Sequence, residues 1–262
     1  MELTDAQFER YARHLILDEV GDEGQARLLS ARVALIGAGG LGAPAALYLA
    51  AAGVGRLTII DDDAVDLSNL QRQIIHTTQQ VGRPKTESAR EMLAAINPDV
   101  AVETRPERLV TDNAGELLAG HDLVLDGSDN FATRYAANDA CYRLGIPLLS
   151  GALLRFEAQI GLFQAHLGPP HPCYRCLFPA PPPPDLVPRC DQAGILGAVA
   201  GVAGTLMATE ALKLLLGLGE SLSGRLLLYD ALEPRFTMMR AGRDPDCALC
   251  GAGAVSSPDP RS

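Results

Sequence analysis

The sequence predicts an α/β fold, a mostly parallel sheet with helices on both faces, and three observations predict it. Short β-branched runs alternate with helical stretches as far as about residue 150. A glycine turn joins the first run to an alanine-rich helix, and the next run must lie parallel to the first because helical crossovers join parallel strands. At 262 residues, 47% hydrophobic and 21% charged, the chain can bury a sizeable core.

Taken in order, Thr4 and Gln7 form the pattern of a capping box, so a helix opens the chain and carries Arg10, Arg13 and His14. RVALI (32–36) is the first strand, APAALYLAAAG the first crossover helix and RLTII (56–60) the second strand. Lys85 to Ile96 is helical and stops at Asn97-Pro98, after which VAVET is a strand. A helix closing at 117–119, the buried strand DLVLD (122–126), a helix from Thr133 to Leu144 and the strand IPLLS complete the alternation. Beyond it, Phe156 to Gln164 is strand-like, PAPPPP (179–184) is extended and RLLLYD (225–230) is the last strand. The expected organisation is a nucleotide-binding half (1–165), a mixed C-terminal half (166–253) and a frayed tail (254–262), together one compact domain.

A formal charge of -10 argues against a nucleic-acid surface, which needs clustered Lys and Arg. The polar N-terminus lacks the apolar core of a signal peptide, so a cytoplasmic, reducing setting is expected. Residues 195–218, ILGAVAGVAGTLMATEALKLLLGL, are long and apolar enough to span a membrane, but Glu210 and Lys213 would be costly at its centre. A buried helix with closely packed glycines is expected instead.

Gly37, Gly39 and Gly42 form G-x-G-x-x-G between a strand and a helix, with Gly40 inside the turn. Such a turn lets phosphate approach backbone N–H groups, making the fold Rossmann-like. Asp61, at the end of the second strand, is placed to accept from a ribose. An NAD- or FAD-dependent oxidoreductase shows the same fingerprint. Ser68, Asn69, Gln71, Arg72 and Lys85 go beyond it, since dense side-chain donors suit phosphates that react. Cys173 and Cys176 form one C-x-x-C and Cys247 and Cys250 another, the ligand set of a closed tetrahedral zinc site. Two redox-active or unliganded pairs are the alternative. Cys141, inside a helix, is a packing residue.

RYARHLIL (10–17), GAGGLG (37–42), SNLQRQ (68–73), RPK (83–85), GSDN (127–130) and CYRCL (173–177) together resemble the ThiF/MoeB/HesA adenylyltransferases, bacterial relatives of ubiquitin-activating enzymes. The resemblance implies that the C-terminal Gly-Gly carboxylate of a ubiquitin-like sulfur carrier attacks the α-phosphate of ATP, giving an acyl-adenylate for thiamine or molybdopterin biosynthesis. It implies that Arg72 and Lys85 bind the phosphates and that Asn69 and Gln73 orient them. Leu70 and Asn130 fall inside the same nucleotide-binding blocks, and Asp129 holds Mg²⁺. It further implies a homodimer in which Arg13 reaches the partner's triphosphate, a structural zinc on the four cysteines, and a separate sulfur donor. Solvated helix-end charges remain the alternative for Arg72, Lys85 and Arg13, and a helix cap that for Asp129. Cys190 lies where relatives have a cysteine proposed to link to the carrier; neighbouring Arg189 favours its thiolate and Asp191 opposes it. The roles of Asp62 and Asp63 are left open, and a non-catalytic zinc-stabilised scaffold is the remaining alternative.

Overall fold

One eight-stranded sheet organises the chain, and the computed structural model describes residues 3–183 and 194–253 of it. In chain order the elements are α1 (Asp5–Arg10), α2 (Ala12–Leu15), α3 (Gly21–Ser30), β1 (Arg32–Ile36), α4 (Gly42–Ala51) and β2 (Arg56–Ile60). Next come α5 (Lys85–Ile96), β3 (Ala101–Arg105), α6 (Ala114–Leu118), β4 (Leu123–Asp126), α7 (Phe131–Leu144), β5 (Leu148–Leu154) and β6 (Glu157–Phe163). Then follow α8 (Tyr174–Leu177), α9 (Gly197–Leu216), β7 (Arg225–Asp230) and β8 (Arg235–Arg240).

The strand order is β3-β2-β1-β4-β5-β6-β7-β8. The first five strands are parallel, and β6, β7 and β8 continue the sheet antiparallel. Alternation along β1 explains why both faces are covered: Val33 and Leu35 join a core with α4, α5 and α9, while Ala34 and Ile36 join one with α6 and α7. The order reverses at β1, between β2 and β4, so the crevice at the carboxyl ends of these strands is where ligands of such sheets bind.

The capping box at Thr4 is formed, with Gln7 N–H donating to Thr4 Oγ1 and Thr4 N–H to Gln7 Oε1. The opening helix, however, is broken at Tyr11, so Arg10 belongs to α1 whereas Arg13 and His14 belong to α2. The cause is Tyr11 itself, which is buried and accepts from Asn97 Nδ2 at 2.8 Å beneath the end of α4. Two further corrections concern α3, absent from the expected order, and β8, which follows β7 and displaces it as the last strand. Every residue of β8 is exposed, so its sequence carries no inward-facing alternation to announce it.

The long apolar helix α9 is a core element. It runs against α4, β5 and β6, burying Ala203, Met207 and Ala211, while Glu210 pairs with Lys213 at 2.7 Å.

Candidate active site

The glycine turn works because its backbone approaches itself closely. Gly37 has φ +89°, and a Cβ on Gly42 would stand 1.8 Å from the Gly37 carbonyl oxygen. Only glycines allow this curl from β1 into α4. A cleft of about 110 Å³ opens beside it, lined by Gly39, Gly40, Asp61, Arg72, Gln73 and Lys85 from one side. Ser128, Asp129, Arg134, Leu153 and Ile195 close it from the other.

The three consecutive aspartates separate into three roles. Asp61 accepts from the N–H of Ala38 at 2.8 Å and from that of Asp63 at 2.9 Å, which stiffens the turn. Burial pushes its carboxyl above the usual range, against the pull of Lys85 and these bonds. Asp62 pairs outward with Arg108 at 3.0 Å. Asp63 meets Lys85 at 2.7 Å, the lysine side chain being 6% exposed and the aspartate 58%. The three carboxylates are close enough to share a metal, yet each already has a protein partner.

Lys85 opens α5 and is held with its ammonium in the cleft, so the solvated-cation alternative does not describe it. Arg72 follows the single turn Leu67–Asn69, which Asp66 caps by accepting from the N–H and Oγ of Ser68. Its guanidinium donates to Asn69 Oδ1 at 2.7 Å and Ser68 O at 3.3 Å. Ser68 and Asn69 thus act through Arg72, outside the cleft wall itself. Leu70 ends that turn, and Gln71 donates to Ile195 O at 3.5 Å. Gln73 is 5% exposed, and its Oε1 has no partner among the described residues; a buried amide end of this kind suits a ligand.

Asp129 is exposed in the cleft and makes no hydrogen bond or ion pair among the described residues. The cap of α7 is Asn130, whose side chain accepts from Thr133 N–H at 2.9 Å, so capping does not explain Asp129. Arg13 is exposed on α2 and does not line its own chain's cleft. Cys190 lies outside the described residues.

Sequence reasoning missed three contributors. Arg134, one turn into α7, is 8% exposed, lines the cleft and donates to Ser128 O at 2.7 Å. Asp126 is fully buried and accepts from Ser128 N–H, Ser128 Oγ and Ser150 Oγ, setting the shape of the GSDN loop. His76 is buried beneath the glycine turn, with Nε2 3.0 Å from Ala38 O and Nδ1 2.7 Å from Ser88 Oγ. Asp126 and Arg134 fall within or beside the motif blocks; His76 has no local signal.

A second cavity, about 160 Å³, lies toward the opposite ends of β1 and β2, where Arg32 and Arg56 begin them. Arg56 is already paired with Glu103 at 2.8 Å and Arg32 with Asp122.

The four cysteines meet at the far side of α7. Sγ separations of 3.8 Å (Cys173–Cys176), 3.6 Å (Cys173–Cys247), 3.5 Å (Cys173–Cys250) and 3.4 Å (Cys176–Cys250) are far too long for disulfides. They approach the ~3.8 Å edge of a tetrahedron with zinc–sulfur bonds of about 2.3 Å. Arg243 braces both arms by donating to the carbonyls of Ala165, His171 and Cys250. Arg175 ties the first arm to α7 through a bidentate pair with Asp139 at 2.8 Å.

Known proteins agree with this architecture. The family model described as "ThiF family" matches residues 11–249. The chain is 52% identical to the SAMP-activating enzyme E1 of Haloferax volcanii, over 98% of this chain and 94% of that protein. It is 51% identical to the sulfur carrier protein adenylyltransferase of Thermus thermophilus, covering 96% and 93% respectively. It is 50% identical to the probable adenylyltransferase/sulfurtransferase MoeZ of Mycobacterium tuberculosis, covering 93% of this chain but 62% of that protein. Among solved structures, E. coli MccB with AMPCPP and MccA shares the fold, with a TM-score of 0.81 at 23% identity over 95% of this chain and 75% of that one. A glycine turn flanked by buried cations, a four-cysteine cluster and these matches lead to one assignment: the chain belongs to the ThiF family.

Proposed function

We propose that the protein is an adenylyltransferase that uses ATP to activate the C-terminal Gly-Gly carboxylate of a ubiquitin-like sulfur carrier. A carboxylate oxygen bonds to the α-phosphorus, the bond from that phosphorus to the bridging oxygen breaks, and pyrophosphate leaves with the electron pair. The observation that carries this reading is the cleft's inventory: Lys85, Arg72 and Arg134 gather around the glycine turn, and among the described residues no thiol or imidazole lines it. Among the described residues Ser128 is the one hydroxyl on its walls, and it donates to Asp126. The nucleophile therefore comes with the substrate, and the protein supplies position and positive charge. The names of the Haloferax and Thermus relatives support a carrier protein as that substrate. An oxidoreductase reading leaves the three cations and the cysteine cluster without a purpose.

Within this reading Asp61 accepts from the ribose, while Arg72, Lys85 and Gln73 face the phosphates. Asp129, without a partner among the described residues, fits the one or two carboxylates that Mg²⁺ uses beside substrate phosphates. When bound, the ion neutralises charge between the phosphates. Arg13, exposed and away from its own cleft, would serve a second copy. The four cysteines fit a structural zinc, which needs no open position and takes no part in the reaction.

The test is ATP–pyrophosphate exchange dependent on added carrier, run separately with thiamine-type and molybdopterin-type carriers. Exchange with one carrier names the pathway; nucleotide binding without exchange for any carrier favours a scaffold. Arg72→Ala and Lys85→Ala should each slow exchange roughly 30- to 1,000-fold, about 2–4 kcal/mol of transition-state stabilisation. Near wild-type exchange in either variant removes that residue from the phosphate site.

A further inference from the structure

His76 stands under the glycine turn in a position that no motif announces. Its ring is 6% exposed and spans two elements of the cleft: Nε2 lies 3.0 Å from Ala38 O in the turn, and Nδ1 lies 2.7 Å from Ser88 Oγ, three residues after Lys85 in α5. A carbonyl oxygen can only accept, so Nε2 carries the proton, while Nδ1 meets the Ser88 hydroxyl, whose one proton also has Gln80 Oε1 at 2.8 Å. Burial, and secondarily the Lys85 charge, hold the imidazole below the usual histidine range, which favours the neutral ring with its proton on Nε2 toward Ala38 O.

The geometry of the peptide unit gives this bond a consequence. In a trans peptide the C=O of one residue and the N–H of the next point in opposite directions. Holding the Ala38 carbonyl inward against His76 therefore turns the Gly39 N–H outward, and Gly39 lines the cleft. The Ala38 N–H, on the other side of the same residue, is held by Asp61 at 2.8 Å. Ala38 is thus fixed from both sides, by Asp61 through one peptide and by His76 through the next.

We propose that His76 is a positioning residue for adenylation, which orients the Ala38–Gly39 peptide so that its N–H faces a phosphate and holds the turn in register with the helix bearing Lys85. This rests on the adenylyltransferase reading of the cleft. It makes an atom-specific prediction, because a glutamine amide reaches the place of Nε2 and an asparagine amide that of Nδ1.

Two measurements test it on the full chain. Amide exchange of Ala38 in the nucleotide-free protein should be faster in His76→Leu and His76→Asn than in wild type, with His76→Gln near wild type. In carrier-dependent ATP–pyrophosphate exchange, His76→Leu and His76→Asn should raise the KM for ATP roughly tenfold, as for one lost hydrogen bond to a charged group, with a smaller change in kcat. His76→Gln should recover most of that loss. A residue that only fills space would give equal melting-point losses and no rescue by Gln, and either equal behaviour of all three variants or an unchanged KM in His76→Leu overturns the proposal. Wild-type protein that exchanges with no carrier overturns the adenylation reading instead, while Ala38 protection still shows whether His76 holds the turn.

Discussion

Asp61 faces two opposed requirements. Its carboxylate accepts from two backbone N–H groups and, on the proposed reading, from a ribose, all of which favour the ionised form, yet burial pushes its proton affinity up. A raised value means that the fold favours the protonated acid. Its contribution to stability is therefore full below the ordinary aspartate range and fades as pH rises through the raised value. The proposed ribose contact runs the other way, strong above that value and weakened below it. ATP affinity, followed by calorimetry from about pH 7 down to pH 4, should thus fall at a higher pH than an ordinary aspartate would titrate. Asp61→Asn should bind more weakly at neutral pH and lose this acid limb; an unchanged limb in the variant would assign it to another group. At this scale the sequence was legible where chemistry is written in blocks. Alternation separated Asp61 from its neighbours, and SNLQRQ and RPK marked Arg72 and Lys85. His76 was not legible, because its meaning lies in a carbonyl 38 positions away.

Among the elements, α9 shows why glycine content alone could not distinguish a membrane span from a core helix. Three of its glycines have different surroundings. A Cβ on Gly204 would stand 2.3 Å from Leu41 O and 2.4 Å from Pro44 Cγ, and one on Gly197 would stand 2.1 Å from Gln71 O. A Cβ on Gly201 would meet nothing within 4 Å. Gly204 lets α9 lie directly on the start of α4, beneath the glycine turn. Gly204→Ala should therefore cost about 1–3 kcal/mol through overpacking, a melting point roughly 3–10 °C lower. Gly201→Ala should be neutral or add up to about 1 kcal/mol, by removing a flexible residue from a helix interior. Equal losses in both variants, measured by scanning calorimetry, would refute the packing account. The same scale shows where periodicity fails: β8 has no buried face, and the break between α1 and α2 follows from Tyr11 docking under α4, a contact made across the fold.

For the whole molecule, the α/β alternation was legible because both faces of the parallel strands are covered, which leaves near-continuous apolar runs such as RVALI and RLTII. That β6, β7 and β8 extend the same sheet was not, since pairing partners such as Glu157 and Asp230 are set by tertiary structure. The cysteine cluster was legible from spacing, and its sulfur distances fit one tetrahedral ion. Freshly purified protein should contain one zinc per chain by elemental analysis. Stripping an ion present at a thousandfold above its Kd should cost about 4 kcal/mol, a melting point roughly 8–16 °C lower. Absence of zinc, or no shift on chelation, would favour unliganded thiols.

The cluster takes Cys173 and Cys176 from before residues 184–193 and Cys247 and Cys250 from after them, and the same division separates β6 from its neighbour β7, and α4 from α9. Each part of the chain therefore holds two of the cluster's four thiols, one edge of a strand pair and one side of a helix contact. The cysteine cluster, the sheet and the helix packing thus each join the part of the chain before residue 184 to the part after residue 193.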